Sequence, residues 1–531
     1  MQDTLAELAE ETFDRLGDHE ALWFEGRAHR SGELFARARR AAAGLVRCGI
    51  RPGDRVVILM ANCPEVGITY GAVWAAGAVV TPVVFLITPT ELQHILVDSE
   101  AVAVVTTTEL LTTVVTAVEH SPTVRWVIVA GPTPEPAPEP ASEPASARVP
   151  AGYDVVAFGE LEAEAEGAIV DRVGSDLATL MYTGGTTGRS KGVMLTHQNL
   201  LFCARSAHEA SYVPGVTRGL LPLPLSHAYG MIVYVVGLHA VEPGFNVLQR
   251  WFDPVEWIRL CAEHRIQRSS LVPAMLQMLL AQPLEEADLG ALRYVGSGAA
   301  PLARETILEF ERRVPSCQVL EGYGCTESAA VISVTRPGQR RIGSVGTPIP
   351  GYDIRILNDG LLDLPIEQDG EICVRSPGVM AGYWRADDAN AATLVDGWLH
   401  TGDIGHLDAD GYLYVVDRKK DLIIRGGFNV YPRDVEDVLL AHPAVAMAGV
   451  VGRPDPRLGE EVVAFVALRP GAEATPEQLL GFARDRLAST KYPREIHLLD
   501  AVPLTSVGKL DRKALRGRLT DGSGRPGGGD E

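Results

Sequence analysis

Short runs of β-branched residues alternate with stretches of helical periodicity along most of the chain. The apolar runs at 55–60 (RVVILM), 101–107 (AVAVVTT) and 125–130 (RWVIVA) predict buried strands, and a helix is predicted at about 64–77. Alternating strands and helices indicate parallel sheets that are covered by helices. The expected fold class is therefore α/β, with a large N-terminal region built from α/β subdomains.

One stretch, residues 66–90, carries no formal charge and is long enough to cross a bilayer. Gly and Pro residues interrupt it, and its pattern is typical of a helix at 68–78 followed by a buried strand at 79–86. Uncharged runs of this kind are expected in the core of an α/β protein. We therefore predict no membrane span.

The pattern changes toward the C-terminus. Between about 341 and 417, short strands and turns such as YDIRIL and GYLYVV predict a β-rich subdomain. After the charged segment 417–421 (DRKKD), the chain has room for one more small α/β domain. We therefore predict an N-terminal domain at 1–417 and a small C-terminal domain at 418–516.

Two segments have compositions that do not suit a packed core. The Pro/Glu/Ala-rich segment 131–152 predicts an exposed loop, inserted within the sheet region. The Gly-rich tail at 517–531 is expected to be disordered. At the other end, the pattern of the first 16 residues predicts an acidic amphipathic helix. It lacks the basic region and the apolar core of a signal peptide.

Composition then excludes some functional classes. Acidic residues number 68 against 48 basic ones, and the formal net charge of −20 argues against a nucleic-acid-coating protein. The seven cysteines are scattered without a Cys-x-x-Cys pair, which favours reduced, buried thiols in a cytoplasmic protein. No Cys/His cluster has the spacing of metal ligands, so any magnesium is expected to arrive with a nucleotide.

Lysine is rare in this chain. Only six of the 48 basic residues are lysines, and the other 42 are arginines. Either cation serves on a protein surface, so a retained lysine marks a position where a compact ammonium is expected to matter.

One of these lysines follows a loop rich in Gly and Thr, within YTGGTTGRSKGVMLTH (182–197). Backbone N–H groups, hydroxyls and the ammonium of Lys191 suit the binding of phosphates. The loop is not a Walker A motif, because Lys191 is followed by Gly192 and not by Ser or Thr. If only the Gly and Thr content is considered, a turn that binds no ligand is as good an interpretation as a phosphate-binding loop.

The segment TGGTTGRSKG resembles the signature loop of the adenylate-forming superfamily, which includes acyl-CoA synthetases, nonribosomal-peptide adenylation domains and firefly luciferase. Relatives usually have Ser in place of Gly184 and Pro in place of Ser190. The remaining motifs follow in the family's order over roughly residues 10–516, and the chain is similar to fatty-acid and 4-coumarate CoA ligases. The resemblance implies that ATP is bound by Lys191 and by the loop residues Thr183, Gly184, Gly185, Thr186, Thr187 and Gly188.

The segment EGYGCTES (321–328) resembles a second motif of the family. The resemblance implies that Tyr323 packs on adenine, that Thr326 bonds phosphate and that Glu327 ligates Mg²⁺, a hard cation that prefers oxygen. Without the other motifs, Glu327 would read as a solvated loop acid. The further residues implied in the nucleotide pocket are Gly298, Ala299, Glu321 and Gly322.

Two motifs flank the predicted domain boundary. In GWLHTGDIG (397–405), Asp403 is implied to accept hydrogen bonds from the ribose hydroxyls. In DRKKDLIIRGGFNVYP (417–432), Arg418 is implied to reach ribose or phosphate, and Lys420 lies at the hinge of a mobile C-terminal lid. Taken alone, DRKKD would be a charged surface turn. The glycines implied to border the thiol tunnel of coenzyme A are Gly426 and Gly427.

The last two motifs concern the acid. Lys509, in VPLTSVGKLDR, matches the mobile lysine that bridges the carboxylate and the α-phosphate. His227, in LPLPLSHAYG, matches the gate between acid pocket and thiol tunnel, and we do not assign it as a general base. Without the motifs, Lys509 would be interpreted as a solvated lysine and His227 as a core histidine. The acid pocket is expected to use Tyr229, Gly230, Met231, Ser297 and Ala329, with Gly322 beside them.

The resemblance implies an enzyme that forms an acyl-AMP from a carboxylic acid and MgATP, and then an acyl-CoA thioester from coenzyme A. Ala228 stands where amino-acid-activating relatives carry Asp, which disfavours an amino acid, and the small and apolar pocket residues are expected to admit a fatty or aryl acid. Transfer to a carrier protein or an amine, activation of an oxyacid such as nitrite, and luciferase-like oxidation stay open. A non-catalytic nucleotide-binding protein is the alternative of another class. The oligomeric state, monomer or homodimer, is left open.

Overall fold

The computed structural model describes residues 3–131, 153–183, 190–505 and 510–520. Apart from its first residue, the predicted exposed loop at 131–152 lies outside the described residues, as does the chain beyond residue 520. The helices and strands are numbered below in chain order.

Fifteen α-helices lie within the described residues. They are α1 Leu5–Leu16, α2 Ser31–Arg47, α3 Pro64–Ala75, α4 Pro89–Asp98, α5 Leu111–Val118, α6 Phe158–Leu161, α7 His197–Ser211, α8 Ala228–Gly237, α9 Pro254–Glu263, α10 Pro273–Leu280, α11 Arg304–Arg313, α12 Asp387–Thr393, α13 Pro432–Leu440, α14 Pro476–Arg484 and α15 Arg512–Thr520. Short 3₁₀ turns lie at Thr108–Leu110, Leu284–Glu286, Thr326–Ser328 and Lys419–Asp421.

Twenty-seven strands lie within the same described ranges. They are β1 Glu20–Phe24, β2 Arg27–Arg30, β3 Arg55–Leu59, β4 Val79–Pro82, β5 Ala103–Thr107, β6 Trp126–Ala130, β7 Asp154–Ala157, β8 Leu177–Thr183, β9 Lys191–Thr196, β10 Arg218–Leu221, β11 Phe245–Leu248, β12 Arg268–Leu271, β13 Tyr294–Ser297, β14 Gln318–Tyr323, β15 Ser333–Val334, β16 Thr347–Pro348, β17 Asp353–Leu357, β18 Gly370–Arg375, β19 Gly382–Tyr383, β20 Leu394–Val395, β21 Trp398–Leu407, β22 Leu413–Arg418, β23 Ile423–Arg425, β24 Phe428–Val430, β25 Val445–Asp455, β26 Gly459–Leu468 and β27 Glu495–Leu499.

Two large sheets form the N-terminal part of the molecule. The first has eight strands in the order β19-β9-β8-β4-β3-β5-β6-β7, of which β8 through β7 run parallel. The second has nine strands in the order β16-β15-β14-β13-β12-β10-β11-β1-β2, of which β14 through β1 run parallel. Parallel sheets joined by helices confirm the predicted α/β fold class.

The predicted helix at about 64–77 is confirmed as α3, but the predicted strand at 79–86 is wrong in its second half. Strand β4 ends at Pro82, and the N–H of Val83 makes one more backbone bond, to the oxygen of Ile58 at 2.9 Å. The chain then turns, and Leu86 is exposed. Proline has no N–H to donate to a neighbouring strand, so Pro82 within the apolar run marks the end of the strand.

The β-rich character predicted for residues 341–417 is present in a third sheet. Its five strands, β17, β18, β20, β21 and β22, all pair antiparallel. Two strands of the same region leave it: β16 pairs with β15 of the nine-stranded sheet, and β19 pairs with β9 of the eight-stranded sheet. The β-rich region is therefore joined by backbone pairing to both large sheets.

The fourth sheet contains only strands that follow residue 422. Its order is β24-β23-β26-β25, with β27 paired in parallel to β26. Val435 and Leu439 of α13 and Leu479 of α14 are buried against it in a core of their own. This region has the mixed α/β composition expected of the small C-terminal domain.

A buried amide joins the two large sheets close to the motif that contains His227. Asn62, which follows β3, donates to the backbone oxygens of Leu223 (2.8 Å) and Gln249 (3.1 Å) and accepts from the N–H of Leu225 (2.9 Å). A buried amide is stable only when its donors and acceptor are paired. Asn62 therefore holds the segment before His227 in place.

The N-terminal segment forms the amphipathic helix α1, as predicted. Thr4 caps it in a reciprocal arrangement with Glu7, the capping box. The N–H of Leu5 donates to Nδ1 of His197 at 3.2 Å, so α1 is anchored to α7. Among the described residues, no helix combines the length and apolarity that crossing a membrane requires.

We expect Phe310→Ala to lower the free energy of unfolding by about 3–5 kcal/mol, because it removes a ring that is 0% exposed in the core beneath the nine-stranded sheet. Leu308→Ala, on the same helix but 44% exposed, is the matched control and should cost much less. Urea denaturation of both variants checks this. Equal destabilisation by the two substitutions would contradict the core assignment.

Candidate active site

The segments that follow the parallel strands of the nine-stranded sheet carry many of the predicted site residues. Strand β13 ends at Ser297 and leads into Gly298, while β14 ends at Tyr323 and leads into Thr326. A side chain on Gly298 would meet the oxygen of Gly322 at 3.2 Å, so the two segments are in close contact. The carboxyl edge of a parallel sheet is the usual position of a ligand site in open α/β proteins.

Asp403 lies on β21, and its carboxylate is almost completely buried, with 5% of the residue exposed. Its two oxygens have different partners: Oδ2 accepts from the hydroxyl of Tyr323 at 2.8 Å, and Oδ1 pairs with Nε of Arg418 at 3.1 Å. Asp403 and Arg418 are also opposite each other in the β21–β22 register. The attraction of Asp403 raises the pKa of Arg418. The three side chains predicted to face the nucleoside are thus in one cluster.

Lys191 and Glu327 are connected through a ring that the sequence motifs did not indicate. The ammonium of Lys191 lies 5.0 Å from the centre of the Tyr383 ring, a cation–π distance. The Tyr383 hydroxyl donates to Oε1 of Glu327 at 2.7 Å. Burial and the charge of Glu327 raise the pKa of Tyr383, so the hydroxyl remains a donor. Tyr383 therefore orients the predicted magnesium ligand.

Tyr383 reaches this position because β19 pairs with β9, with Tyr383 opposite Val193. In the sequence, Tyr383 is only an aromatic residue within MAGYWR, outside the family motifs named above. Strand pairing across about 190 residues of sequence is not visible in a motif search.

The ends of the predicted phosphate loop are defined by the antiparallel pair Thr183 and Lys191, which close the β8–β9 hairpin. The oxygen of Ser190 contacts Nε2 of His94 at 3.1 Å, so α4 supports one end of the loop. Gly184, Gly185, Thr186, Thr187 and Gly188 lie outside the described residues. Their assignment to ATP stays a prediction.

The backbone around Thr326 is strained. Residues Thr326–Ser328 form a 3₁₀ turn, after which Ala329 and Ala330 have φ of 55° and 83°. Left-handed φ is uncommon for residues that carry a Cβ, and such strain concentrates at functional sites. Ala299, which belongs to the predicted nucleotide pocket, also has a left-handed φ, of 69°.

Tyr229 forms a wall of the predicted acid pocket. Its hydroxyl lies 3.3 Å from where a side chain on Gly296 would begin, and its ring lies 3.6 Å from the same point on Gly298. Burial raises the pKa of Tyr229 to about 12, so its hydroxyl is neutral. A Cβ at Gly296 would crowd the Tyr229 hydroxyl, whereas one at Gly298 would lie at ordinary contact distance from the ring.

The other predicted pocket residues are more deeply buried. Met231, Ser297 and Ala329 have little exposure, and Oγ of Ser297 has no hydrogen-bond partner among the described residues. Gly230 is required by packing, because a Cβ there would meet the oxygen of Pro224 at 2.1 Å. A buried hydroxyl without a partner is a donor available to a ligand.

His227 caps α8, and its Nδ1 accepts the N–H of Tyr229 at 3.2 Å. Since Nδ1 is an acceptor, the neutral ring carries its proton on Nε2. The capping bond fixes the ring orientation at the start of the helix that carries the acid-pocket residues.

Glu321, near the end of β14, is half-buried, and burial raises its pKa to about 7 in spite of the opposing charge of Arg433. Arg433 belongs to α13 and donates to the oxygen of Leu302 at 3.3 Å. Glu321 thus lies near the contact between α13 of the C-terminal region and Leu302, which follows Gly298 and Ala299 of the predicted nucleotide pocket.

The predicted hinge has contacts on both sides. Arg418 pairs with Asp403, whereas Asp417 accepts the N–H of Arg433 at 2.9 Å and Asp421 pairs with Arg516 at 2.8 Å. Between them, Lys420 is exposed, and partial desolvation of its ammonium together with the charge of Arg418 lowers its pKa. Arg418 therefore contacts β21, while Asp417 before it and Asp421 after Lys420 both contact helices of the C-terminal region.

Gly426 and Gly427 form the two-residue turn between β23 and β24. Their φ values are 58° and 82°, and Arg425 pairs with Phe428 across the turn. Positive φ at both central positions is the geometry of a tight hairpin turn that favours Gly. The turn is exposed in this structure.

Lys509 lies outside the described residues, so its position relative to the other site residues stays a prediction.

Comparison with known proteins gives two family matches. The model of the AMP-binding enzyme family matches residues 9–384, and that of the AMP-binding enzyme C-terminal domain matches residues 434–509.

Several relatives are similar over nearly their whole length. A long-chain-fatty-acid–CoA ligase of Bacillus subtilis is 35% identical, over 96% of this chain and 94% of that protein. A feruloyl-CoA synthase of Amycolatopsis is 36% identical, over 93% of this chain and 94% of that protein.

Among solved structures, the amide bond synthetase McbA from Marinactinospora thermotolerans is 30% identical, with a TM-score of 0.84 over 97% of this chain and 99% of that one. The anthranilate CoA ligase AuaEII, in complex with anthranoyl-AMP, has a TM-score of 0.89 at 23% identity, over 98% of both chains, which shows the shared fold. The chain belongs to the AMP-binding enzyme family of the adenylate-forming superfamily, as its motifs indicated.

Proposed function

We propose that this chain is an acid–thiol ligase that uses ATP to activate a fatty or aryl carboxylic acid and transfers the acyl group to coenzyme A. The observation that carries the proposal is the cluster of Asp403, Arg418 and Tyr323, a ribose-binding arrangement, in a chain that matches CoA ligases over 93–96% of its length. Fold alone would not support this, because one fold serves many functions.

In the first half-reaction, a carboxylate oxygen of the acid attacks the α-phosphorus of ATP. The bond between the α-phosphorus and the bridging oxygen breaks, giving acyl-AMP and pyrophosphate. Asp403 and Arg418 position the ribose, and Lys191 and Thr326 hold phosphate oxygens. Lys509 stabilises the charge that develops between carboxylate and α-phosphate.

The donor set around Glu327 suits magnesium. Glu327 lines a cavity of about 240 Å³ together with Tyr383 and Gly402, and its carboxylate is the hard oxygen ligand that Mg²⁺ prefers. When bound, Mg²⁺ supplies neutralisation of phosphate charge. Tyr383 holds the Glu327 carboxylate in position for this role.

The second half-reaction requires a different set of contacts. The coenzyme A sulfur attacks the acyl carbon, the mixed anhydride bond breaks, and AMP leaves with the oxygen. We place the domain boundary after Asp417 and the hinge at Lys420, so that residues 418–516 rotate as a lid and present Gly426 and Gly427 to the thiol. The ion pair of Arg418 with Asp403 before Lys420 and that of Asp421 with Arg516 after it support such a hinge, although Asp417 also bonds Arg433.

The acid pocket supports an apolar substrate. Tyr229, Met231 and Ala329 offer apolar or neutral walls, and the buried Ser297 hydroxyl offers one donor.

Free, mostly buried cysteines support a reducing, cytoplasmic location. An amine acceptor is the second candidate, since the similar structure of McbA is an amide bond synthetase.

The function is tested by measuring pyrophosphate release with a panel of fatty and aryl acids, with and without coenzyme A. We expect release above the acid-free background for at least one acid, and its thioester by mass spectrometry only when coenzyme A is present. Amide formation with amines, without thioester, would assign the second candidate. ATP binding without release from any acid would indicate a non-catalytic nucleotide-binding protein.

Lys509→Ala should reduce acid-dependent pyrophosphate release by about 100-fold or more, because it removes a cation from the developing charge. Thioester formation from supplied acyl-AMP should be largely retained. Lys513→Ala is the matched control, since Lys513 is an exposed lysine on α15. An equal loss in both half-reactions would contradict the lid rotation.

Tyr383→Phe should raise the Mg²⁺ concentration needed for half-maximal pyrophosphate release by roughly three- to tenfold, because one hydrogen bond to Glu327 is lost. The ring under Lys191 is kept. Tyr212→Phe is the control: its hydroxyl also donates to a carboxylate, Glu242 at 3.0 Å, but on the surface. An unchanged Mg²⁺ requirement in Tyr383→Phe would show that Tyr383 does not orient the ligand.

A further inference from the structure

A second polar cluster lies on the same antiparallel sheet as Asp403. Cys373 of β18 is directly opposite His400 of β21 in the strand register, and Glu371 lies two residues before Cys373. Residues i and i+2 of a strand project from the same face. One atom from each of the three side chains lies within 4.8 Å of the other two. Strand pairing therefore assembles S, N and O donors that are up to 29 residues apart in the sequence.

The distances fit a tetrahedral zinc ion. Bond lengths of about 2.3 Å to S and roughly 2.0 Å to N and O give tetrahedral edges of about 3.6 Å between S and N and about 3.3 Å between N and O. In the structure, Sγ of Cys373 lies 3.4 Å from Nδ1 of His400, and Oε2 of Glu371 lies 3.3 Å from the same nitrogen. Two edges of the tetrahedron are thus close to the expected lengths, and the S and O donors lie within 4.8 Å of each other.

The surroundings orient the ligands and leave one side open. The N–H of Gly402 donates to Oε1 of Glu371 at 3.2 Å, which turns Oε2 toward His400. Such outer hydrogen bonds are typical of metal sites. Cys373 is 0% exposed, while Glu371 and His400 line the cavity of about 240 Å³ described above. A fourth ligand, such as water, can enter from this cavity.

Lys419 is a cation that competes directly for this cluster. Its Nζ lies 3.3 Å from Oε2 of Glu371, the oxygen that would bind a metal. The same ammonium also pairs with the exposed Asp359 at 2.9 Å, so it keeps a partner when it leaves Glu371. Lys419 is partly exposed and can move away without leaving a buried, unpaired charge.

We propose that Glu371, Cys373 and His400 form a zinc-binding site with three protein ligands and a fourth position open to the cavity. Soft thiolate and imidazole ligands select Zn²⁺ over Mg²⁺, which takes only hard oxygen donors. The site is therefore distinct from the magnesium position at Glu327. It does not depend on the ligase reaction proposed above.

The test uses the metal-stripped full-length protein in excess Mg²⁺. We expect one equivalent of Co²⁺ to give a thiolate-to-cobalt charge-transfer band and the visible absorption of a tetrahedral site, and Zn²⁺ to displace it. Cys373→Ser should lose the charge-transfer band and weaken Zn²⁺ binding by more than about tenfold. Cys325→Ser, which changes the half-buried thiol of the same cavity, should leave the band unchanged.

Lys419→Gln provides a test on a partly exposed side chain. It removes the competing ammonium, so Zn²⁺ binding should tighten severalfold, measured against a chromophoric chelator. Circular dichroism and thermal unfolding establish that each variant is folded. Absence of the thiolate band from the wild-type protein, its persistence in Cys373→Ser, or weaker Zn²⁺ binding in Lys419→Gln would overturn the proposal.

Discussion

A carboxylate taken out of water must be paired, and in this protein the buried carboxylate of Asp403 imposes that requirement on three parts of the fold. One oxygen pairs with Arg418 at the end of β22, and the other accepts from Tyr323 at the end of β14. The nine-stranded sheet, the antiparallel sheet and the proposed hinge segment therefore meet at one charge. Any movement of the C-terminal region about Lys420 begins next to this anchored pair.

The strand that carries Asp403 has a second consequence. β21 pairs with β22 on one side and with β18 on the other, and an irregularity in register at β18 accommodates Gly402, whose φ is 70°. The bulge places the N–H of Gly402 on Glu371 and leaves His400 opposite Cys373. Bulges often redirect side chains next to functional sites. One strand thus supports the proposed ribose contact and the proposed zinc ligands.

Much of the site could be predicted because its residues come in short, local motifs. Thr326, Glu327 and Tyr323 lie within one eight-residue segment, so their proximity follows from chain connectivity. Tyr383 could not be found in this way, since its contact with Glu327 depends on the pairing of β19 with β9. The end of β4 differs from the prediction for another reason: the apolar run continues to Leu86, but Pro82 has no N–H with which to extend the strand.

The sequence by itself determined the α/β fold class, the order of the motifs and the family, because periodicity and local motifs are properties of contiguous residues. Only the tertiary structure decided which distant side chains meet. Cross-strand neighbours such as Cys373 and His400, or Asp403 and Arg418, are set by register, and register depends on backbone pairing between strands. Short-range patterns carry no information on that pairing, so the contact of Tyr383 with Glu327 and the proposed zinc ligands are visible only in the folded chain.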